Sequence, residues 1–264
     1  MDPKQRGDVD DGLAGWGDSA ARLKQALDAD EFALFCQPIV ALAGAERYPM
    51  AEVLVRLREE EAAMLPPGDF FPMFEHFNMM PELDRWVVRT VVKQLKAGSK
   101  IPRFTLNVSA QTLEETTFPI FVGTELAKSG LPAGSVLFEI DESDTLDRLP
   151  AASRFAAGIK AAGGGLMIDG FGRRSVSFAA LEKLDPDYVK VDGGIVRKLL
   201  KSSVAAGKMT AILRVAEATG MGLVAECVEE QDILARLKAL NVGFAQGFGI
   251  YQPQPIDTFA APAK

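Results

Sequence analysis

Residues 136–172, with the sequence VLFEIDESDTLDRLPAASRFAAGIKAAGGGLMIDGFG, decide the fold class of this chain of 264 residues. Two short apolar runs within it, Val136–Ile140 and Leu166–Asp169, are typical of strands bounded by turn residues. Between them, Ala151–Ala162 has the apolar spacing of a helix, and Gly163–Gly165 ends that helix and leads into the next strand. A strand, a helix and another strand in this order predict an α/β fold.

The same alternation extends in both directions from this segment. Further strand candidates are Phe32–Val40, Tyr48–Leu57, Phe104–Val108, Tyr188–Val191, Leu223–Glu226 and Gly243–Gln246. Further segments with helical spacing are Ser19–Ala29, Leu83–Leu95, Ile195–Ala216 and Gln231–Leu240. Strands with helices between them indicate either an α/β barrel or a doubly wound open sheet.

The connection between the first two strands restricts the topology. Only Ala43–Arg47 joins them, which is too short for a parallel crossover, so we expect these strands to pair antiparallel. We therefore predict a modified TIM-like (β/α)8 barrel with an antiparallel first strand. Residues 1–20 are predicted to form a linker or flexible N-terminal tail, and residues 21–264 the barrel domain.

Composition and charge exclude several classes of function. The formal net charge is −7 and no basic cluster is present, which argues against DNA or RNA as a partner. The chain lacks a run of about 18 apolar residues, so no membrane insertion is expected. Cys36 and Cys227 are far apart and fit free thiols in a reducing, cytoplasmic compartment. The single histidine, His76, rules out an HExxH zinc site and is interpreted as structural.

A polar residue lies within or at the end of most predicted strands. In chain order these residues are Glu52, Asn107, Glu139, Asp169, Lys190, Glu226 and Gln246. The carboxyl ends of the strands of an α/β barrel meet at one rim, where active sites are assembled. We therefore expect these side chains to form a site at that rim.

The residue types in this series indicate metal-assisted chemistry on a phosphoester. Carboxylate and amide oxygens suit Mg²⁺ or Mn²⁺ better than a softer metal. Lys190 is expected to stay charged among the acids and to steer a water or a phosphate oxygen. Arg56 lies four residues after Glu52 on the same strand, so both side chains share a face and Arg56 can bind a phosphate. Together these groups predict metal-assisted phosphoester hydrolysis.

Eight short segments resemble, in order, motifs of the bacterial EAL family. They are Gln37–Val40, Ala51–Arg56, Leu106–Ser109, Phe138–Ser143, Asp169–Gly172, Lys190–Asp192, Ala225–Glu229 and Gln246–Gly247. The resemblance runs from about Leu27 to Pro255, nearly the whole chain. It implies that the protein hydrolyses cyclic di-GMP to linear pGpG with Mg²⁺ or Mn²⁺, or binds cyclic di-GMP as a receptor.

The resemblance also implies a role for each matching residue. The ligands of a first metal ion would be Glu52, Asn107, Glu139 and Asp169. Lys190 and Glu226 would position or deprotonate the attacking water, and Glu142 would order the loop after the Asp169 strand. Ligand contacts would come from Gln37, Leu54, Arg56, Asp84, Asp192 and Gln246. Of these, Gln246 would close the site, and Asp84 equally fits an acid on a helix surface.

The sequence departs from the family after Asp169, where Asp-Asp-Phe-Gly-Thr-Gly is usual. Gly170 replaces the second aspartate, which in the family is a main ligand of a second metal ion. Arg173–Arg174 replaces Thr-Gly and is interpreted either as a phosphate contact or as two solvated side chains. Cys227 replaces a usual glycine and is expected to be a packed small residue. One metal site is thus expected to be retained, and the second is doubtful.

These features predict a cyclic di-GMP receptor with weak or no hydrolysis, and two alternatives stay open. The first is an active metal-dependent phosphodiesterase in which a water or Asp192 compensates for Gly170. The second is a nucleotide-independent protein-interaction scaffold. The resemblance also implies fused signalling domains or a protein partner, and it allows a homodimer.

Overall fold

Ten strands in the described part of the chain form one continuous sheet. They are β1 (Phe32–Ala41), β2 (Met50–Arg58), β3 (Met64–Leu65), β4 (Phe104–Asn107), β5 (Val136–Asp141), β6 (Gly165–Phe171), β7 (Tyr188–Val191), β8 (Gly222–Ala225), β9 (Phe244–Ala245) and β10 (Gln254–Pro255). The structure, a computed structural model, describes residues 19–44, 48–58, 64–65, 67–174 and 178–261. The predicted tail 1–20 lies outside the described residues except for its last two, which begin the first helix.

Strands β1, β2 and β4 to β9 close into an eight-stranded barrel. Strand β1 pairs antiparallel with β2 on one side and with β9 on the other, whereas β2 and β4 to β9 pair parallel. The short strands β3 and β10 extend the sheet beside β2 and β1. The predicted modified TIM-like barrel with an antiparallel first strand is therefore confirmed.

Helices surround the barrel. They are Ser19–Asp28, Pro67–His76, Met80–Ala97, Ala110–Glu114, Phe118–Ser129, Glu142–Asp147, Leu149–Ala161, Phe178–Leu184, Gly193–Val196, Ser203–Thr219, Gln231–Ala239 and the 3-10 helix Ile256–Phe259. None of the described helices is long and apolar enough to cross a membrane. Both cysteines are free thiols, as predicted, and His76 ends its helix with its ring edge-on against Phe77.

The prediction of a single helix over Ile195–Ala216 is wrong, because the chain turns between two separately capped helices. Asp192 accepts a hydrogen bond from the backbone of Gly194 and caps Gly193–Val196. Ser202 accepts one from Ala205 and caps Ser203–Thr219. A cap satisfies amide groups that have no partner at the start of a helix, so each capping side chain marks a new beginning.

The barrel interior is divided into an apolar floor and a polar mouth. The floor is a small cluster of buried side chains, namely Ile39, Met50, Met167 and Val224. Each lies two residues from a polar residue of the mouth, and residues two apart on a strand face the same side. Gln37, Glu52, Asp169 and Glu226 are those polar partners. The floor therefore closes the barrel below the polar mouth.

The opposite face of the strands packs against the helices. Phe138 on β5 is fully buried and contacts Phe118 and Phe155, with ring centroids 6.1 Å apart in each case. Because side chains alternate along a strand, this outward packing directs the next residue, Glu139, into the barrel. The aromatic cluster thus orients a residue of the mouth.

Truncating this cluster is expected to destabilise the fold. Phe138→Ala should lower the free energy of unfolding by about 3–5 kcal/mol, because the substitution leaves a cavity in a well-packed core. Ile120→Ala is the matched control, since Ile120 is 70% exposed and its truncation should change the value by less than about 0.5 kcal/mol. Urea unfolding at pH 7.5 measures both, and equal losses in the two variants would contradict the packing described here.

Candidate functional site

The carboxyl ends of the parallel strands bring the predicted polar residues together. Glu52 lies on β2, Asn107 on β4, Glu139 on β5, Asp169 on β6 and Lys190 on β7. Glu226 and Gln246 lie immediately after β8 and β9, one residue beyond the observed strand ends. The predicted strands Leu223–Glu226 and Gly243–Gln246 therefore each end one residue beyond the observed strand.

The Lys190 ammonium lies at the centre of this group. Its Nζ donates hydrogen bonds to Glu52 Oε2 at 2.9 Å and to Glu139 Oε2. Asp169 Oδ1 lies 3.6 Å from the same nitrogen. Lys190 and Glu139 are each only 1% exposed, so the charges attract each other with little screening by water. One buried cation thus binds three carboxylates from three different strands.

The charges shift the pKa values of this cluster in opposite directions. Burial opposes the charge of Lys190, but the surrounding carboxylates outweigh it and raise the Lys190 pKa well above its ordinary value. Burial raises the pKa of Glu139 to about 8, with Lys190 acting against that shift. For Glu52, burial is outweighed by Lys190 and by hydrogen bonds, so its pKa is lowered. Glu52 is therefore the carboxylate that stays ionised most readily.

A chain of amide side chains holds Glu52 from the other side. Asn107 Nδ2 donates to Glu52 Oε1 at 2.8 Å, and Gln246 Nε2 donates to Glu52 Oε2 at 2.9 Å. Gln246 also donates to Gln37 Oε1 at 3.2 Å, and Gln37 donates to the backbone of Tyr251. The network fixes the orientation of both carboxylate oxygens of Glu52.

Close backbone packing positions the end of β9. The Gln246 amide donates to Ala225, and its carbonyl accepts from Val228. A Cβ at Gly247 would lie 2.2 Å from backbone atoms of Val228, so only glycine fits there. Gln246 is thereby held at the mouth of the barrel.

Glu226 lies near the Lys190 cluster without bonding to it. Its Oε1 accepts a hydrogen bond from Gly193 N at 2.6 Å. Burial, together with the charge of Asp169, raises the Glu226 pKa to about 7. A carboxyl group with that pKa can accept or donate a proton near neutral pH.

Cys227 follows Glu226 with φ of 56°, the left-handed region that favours glycine. Burial raises the pKa of its thiol, so Cys227 is not an activated nucleophile.

Glu142 holds the loop that follows β6. Its Oε1 accepts from Gly172 N and its Oε2 from Arg174 N, both at 2.9 Å. Lys208 donates to the Gly172 carbonyl from the helix Ser203–Thr219. Both carboxylate oxygens of a buried acid are thus used to fix this loop.

The residues predicted to contact a ligand lie in different environments. Leu54 and Arg56 share the half-buried face of β2 with Glu52, and the Arg56 guanidinium lies 5.8 Å from the ring of Phe35. Gln37 and Gln246 lie within the Glu52 network, as described above. Asp192 is bound to Arg173 at 2.9 Å. Arg56 is therefore the cation on the half-buried face of β2 beside Glu52.

Asp84 is not a surface acid. It is 8% exposed, and its Oδ2 accepts hydrogen bonds from the hydroxyls of Ser109 and Thr112 at 2.9 and 2.6 Å. Burial raises its pKa to about 6, and these hydrogen bonds act against the shift. The helix-surface interpretation of Asp84 is therefore wrong, and a ligand contact stays a prediction.

Arg173 and Arg174 are both ion-paired. Arg173 binds Asp141 and Asp192 at 2.8 and 2.9 Å, and Arg174 binds Asp147 at 2.7 Å. Both side chains are also about half exposed to solvent, at 46% for Arg173 and 50% for Arg174. The sequence reasoning missed Asp141, although Asp141 and Asp192 share a recognisable signal. Asp141 ends β5, Asp192 follows β7, and each caps the next short helix.

The oxygen donors of the mouth fit a divalent cation by their chemistry. Glu139 Oε1 and Asp169 Oδ1 are buried and accept no hydrogen bond from the described residues. Such oxygens are the ligands that Mg²⁺ and Mn²⁺ prefer. Within the described ranges, however, no three acidic, cysteine or histidine side chains converge closely enough to hold an ion as they stand.

A cavity of about 670 Å³ lies at the opposite end of the barrel. Its walls come from the amino-terminal ends of the strands, including Gly165, Tyr188 and Gly222, with Arg103 and Lys160 at its edge. No residue of the polar mouth lines it. The cavity is therefore separate from the candidate site.

The EAL domain profile matches residues 20–253. The chain is 31% identical over 241 residues to the cyclic di-GMP phosphodiesterase PdeF of Escherichia coli, covering 90% of this chain and 32% of that protein. For the cyclic di-GMP phosphodiesterase PdeB of Shewanella oneidensis, identity is 29% over 243 residues, 91% of this chain and 28% of that protein. The chain thus spans about a third of the length of these relatives.

Solved structures share the barrel. The FimX EAL domain from Pseudomonas aeruginosa bound to c-di-GMP superposes with a TM-score of 0.80 and 25% identity, covering 90% of this chain and 97% of that one. The PaMucR phosphodiesterase in complex with c-di-GMP superposes with a TM-score of 0.82 and 25% identity, covering 91% and 98%. The similarity to the two structures is equal in sequence and nearly equal in shape.

Removing the central cation is expected to destabilise the protein. Lys190→Met leaves three carboxylates without their shared cation, which should cost about 3–5 kcal/mol of unfolding free energy. Lys201→Met is the control, because Lys201 is exposed and 3.8 Å from Glu230, and its loss should cost less than about 0.5 kcal/mol. Urea unfolding at pH 7.5 compares the two, and a Lys190→Met variant as stable as the control would contradict the central role of Lys190.

Asp84 is expected to make stability depend on pH. Since its pKa is raised from the ordinary 3.8 to about 6, the folded state binds the proton more tightly than the unfolded state. Stability is therefore lost as pH rises between these values, by about 3 kcal/mol. Asp84→Asn cannot titrate, so its stability relative to the natural protein should rise from pH 4 to pH 6 and then level off. A pH-independent difference in urea unfolding would contradict this assignment.

Proposed function

Because the chain belongs to the EAL domain family, we propose that it binds cyclic di-GMP at the polar mouth of its barrel and hydrolyses it slowly or not at all. The observation that carries the proposal is the pairing of a retained mouth with an altered loop. Glu52, Asn107, Glu139, Asp169, Lys190 and Glu226 are present and lie at the mouth. Gly170 offers no side-chain oxygen beside them.

Binding is supported by the charge and shape of the mouth. Arg56 is half-buried on the face that also carries Glu52, and a guanidinium there can bond a phosphodiester oxygen. Leu54 lies between them in sequence on the same face and offers apolar surface to a guanine base. Gln37 and Gln246 add amide groups that can bond to the nucleotide. The FimX and PaMucR structures, which contain c-di-GMP, support the same ligand.

A divalent ion, Mg²⁺ or Mn²⁺, is proposed to bind at the first site. Glu52, Asn107, Glu139 and Asp169 would hold it, and Asp169 Oδ1 and Glu139 Oε1 accept no hydrogen bond from the described residues. When bound, the ion would act as a Lewis acid toward a phosphodiester oxygen. Lys190 would hold a phosphate oxygen or a water through its ammonium protons.

An active phosphodiesterase is the second candidate, and Glu226 is the observation that favours it. Its pKa of about 7 makes it a competent proton acceptor from an attacking water at neutral pH. Gly170 argues against fast turnover, because loss of one catalytic ligand commonly costs several powers of ten in rate. Overall similarity does not separate the two candidates, since both solved structures contain c-di-GMP and each is 25% identical to this chain.

The wider context of the chain is also proposed. The curated relatives are about three times as long, which supports fused signalling domains or a protein partner that reads the bound state. A cytoplasmic location agrees with the two free thiols. A homodimer and a nucleotide-independent scaffold stay as alternatives, and neither DNA nor RNA is proposed as a partner.

Binding and turnover can be separated in one experiment. Calorimetry with cyclic di-GMP and Mn²⁺ should give saturable binding, and chromatography of the same sample should recover the dinucleotide intact after hours. Steady release of pGpG over many turnovers would contradict the receptor assignment and establish the phosphodiesterase. Absence of any binding would contradict both and leave the scaffold.

Arg56→Ala should weaken this binding by about tenfold or more, since a charged hydrogen bond of 1.5–3 kcal/mol is lost. Arg154→Ala is the control, because Arg154 is exposed on the outer helix Leu149–Ala161 and should leave the affinity unchanged. Equal affinities for the Arg56 and Arg154 variants would place the phosphate away from Arg56.

A further inference from the structure

A second arrangement of carboxylates around a cation, centred on the half-exposed Arg173, lies beside the Lys190 cluster. Arg173 NH1 donates to Asp141 Oδ2 at 2.8 Å, and Arg173 Nε donates to Asp192 Oδ2 at 2.9 Å. Asp141 is the register partner of Asp169 on the neighbouring strand. The rim of the barrel therefore holds two groups of acids, each organised around one basic side chain of the chain itself.

The two carboxylates around Arg173 are fixed in advance. Asp141 Oδ1 accepts from Ser143 N at 2.7 Å and caps the helix Glu142–Asp147. Asp192 Oδ1 accepts from Gly194 N at 2.9 Å and caps Gly193–Val196. Each acid thus uses one oxygen to hold its helix and presents the other to the guanidinium. Arg173 enters a prepared position and does not draw flexible acids toward it.

Gly170 makes room for the guanidinium. A Cβ at position 170 would lie 2.5 Å from Arg173 NH2 and 2.8 Å from Cζ, so a side chain there and Arg173 in its present position exclude each other. Gly170 also has φ of 65°, a conformation that aspartate and asparagine tolerate better than other side chains. The obstacle to a carboxylate at position 170 is therefore Arg173 more than the backbone.

We propose that Arg173 is a built-in cation that occupies the position between Asp141 and Asp192 and keeps a divalent ion out of it. Its charge is neutralised by these two carboxylates, so it is not free to bind a phosphate as an isolated arginine would. Asp169, whose buried Oδ1 accepts no hydrogen bond from the described residues and lies 3.6 Å from Lys190 Nζ, is the register partner of Asp141 and would complete an oxygen ligand set once Arg173 is removed. The guanidinium of Arg173 occupies the space that a side chain at position 170 would need, so the two residues differ from the family pattern in a linked way.

The test counts bound Mn²⁺ without any nucleotide. The free Mn²⁺ signal in electron paramagnetic resonance gives the number of ions bound per chain. Arg173→Ala should bind one more Mn²⁺ than the natural chain, because two carboxylates lose their cation. Arg174→Ala is the matched control, since Arg174 is the neighbouring, similarly exposed arginine and pairs with Asp147, and its count should equal that of the natural chain.

Two further variants locate the additional ion and guard against misfolding. Asp141→Asn combined with Arg173→Ala should lose the additional ion, whereas Arg173→Lys should retain the natural count because it keeps the charge. If Arg173→Ala fails to fold by circular dichroism, Arg173→Gln removes the charge with less loss of volume. Equal counts in the natural chain, in Arg173→Ala and in Arg173→Gln would overturn the proposal, as would an additional ion that survives the loss of Asp141.

The proposed role of Arg173 rests on the proposed function only for its effect on turnover, and the two proposals can be tested separately. The ion count needs no cyclic di-GMP, so a negative result would leave nucleotide binding untouched. An activity measurement adds a second readout: Gly170→Asp alone should gain little pGpG formation, because the new carboxylate pairs with Arg173. Gly170→Asp with Arg173→Ala should gain at least tenfold more than Gly170→Asp alone. A single substitution as active as the double one would contradict the pairing of these two positions.

Discussion

The contact between the Lys190 ammonium and three carboxylates is the interaction on which the mouth of the barrel depends. Acids placed this close in a buried pocket repel one another, and removing them from water is costly unless a cation compensates. Lys190, 1% exposed, supplies that cation from the strand opposite Glu52. Lys190 and hydrogen bonds lower the pKa of Glu52, whereas burial raises the pKa of Glu139 to about 8 against the charge of Lys190. The site therefore holds, in one fixed geometry, acids whose pKa values differ.

The barrel brings these residues together from separate, local strand segments of the sequence. Parallel strands end at the same rim, and the period of two directs alternate residues inward. Apolar residues such as Met50 and Met167 fill the interior below Glu52 and Asp169, so the polar groups are confined to the mouth. The antiparallel β1 brings Gln37 to the same level, where it meets Gln246. The side chains of the mouth are thus held both by the packing of their strands against the helices and by the ion pairs and hydrogen bonds inside the barrel.

Much of the fold was predictable from the sequence because its signals are local. Strand runs, the short link after β1 and the polar strand ends followed from spacing and composition alone. The break before Ser203 was missed because the apolar residues keep a helical spacing across the turn. Only the capping side chain of Ser202 indicates that a new helix begins there. The pairing of Arg173 with Asp141 and Asp192 was also missed, because it joins residues 32 and 19 positions apart through three-dimensional contact. The buried position of Asp84 was missed for the same reason, because its hydrogen-bond donors, Ser109 and Thr112, lie in a distant segment of the chain.

The central claim is that the mouth holds cyclic di-GMP with one resident metal position, while Arg173 fills the neighbouring one. Crystals grown with cyclic di-GMP and Mn²⁺, measured at the manganese absorption edge, test this most directly. We predict an intact dinucleotide, one anomalous peak near Glu52 and Asp169, and Arg173 still bound to Asp141 and Asp192. Two anomalous peaks with Arg173 displaced, or linear pGpG in the mouth, would contradict the account.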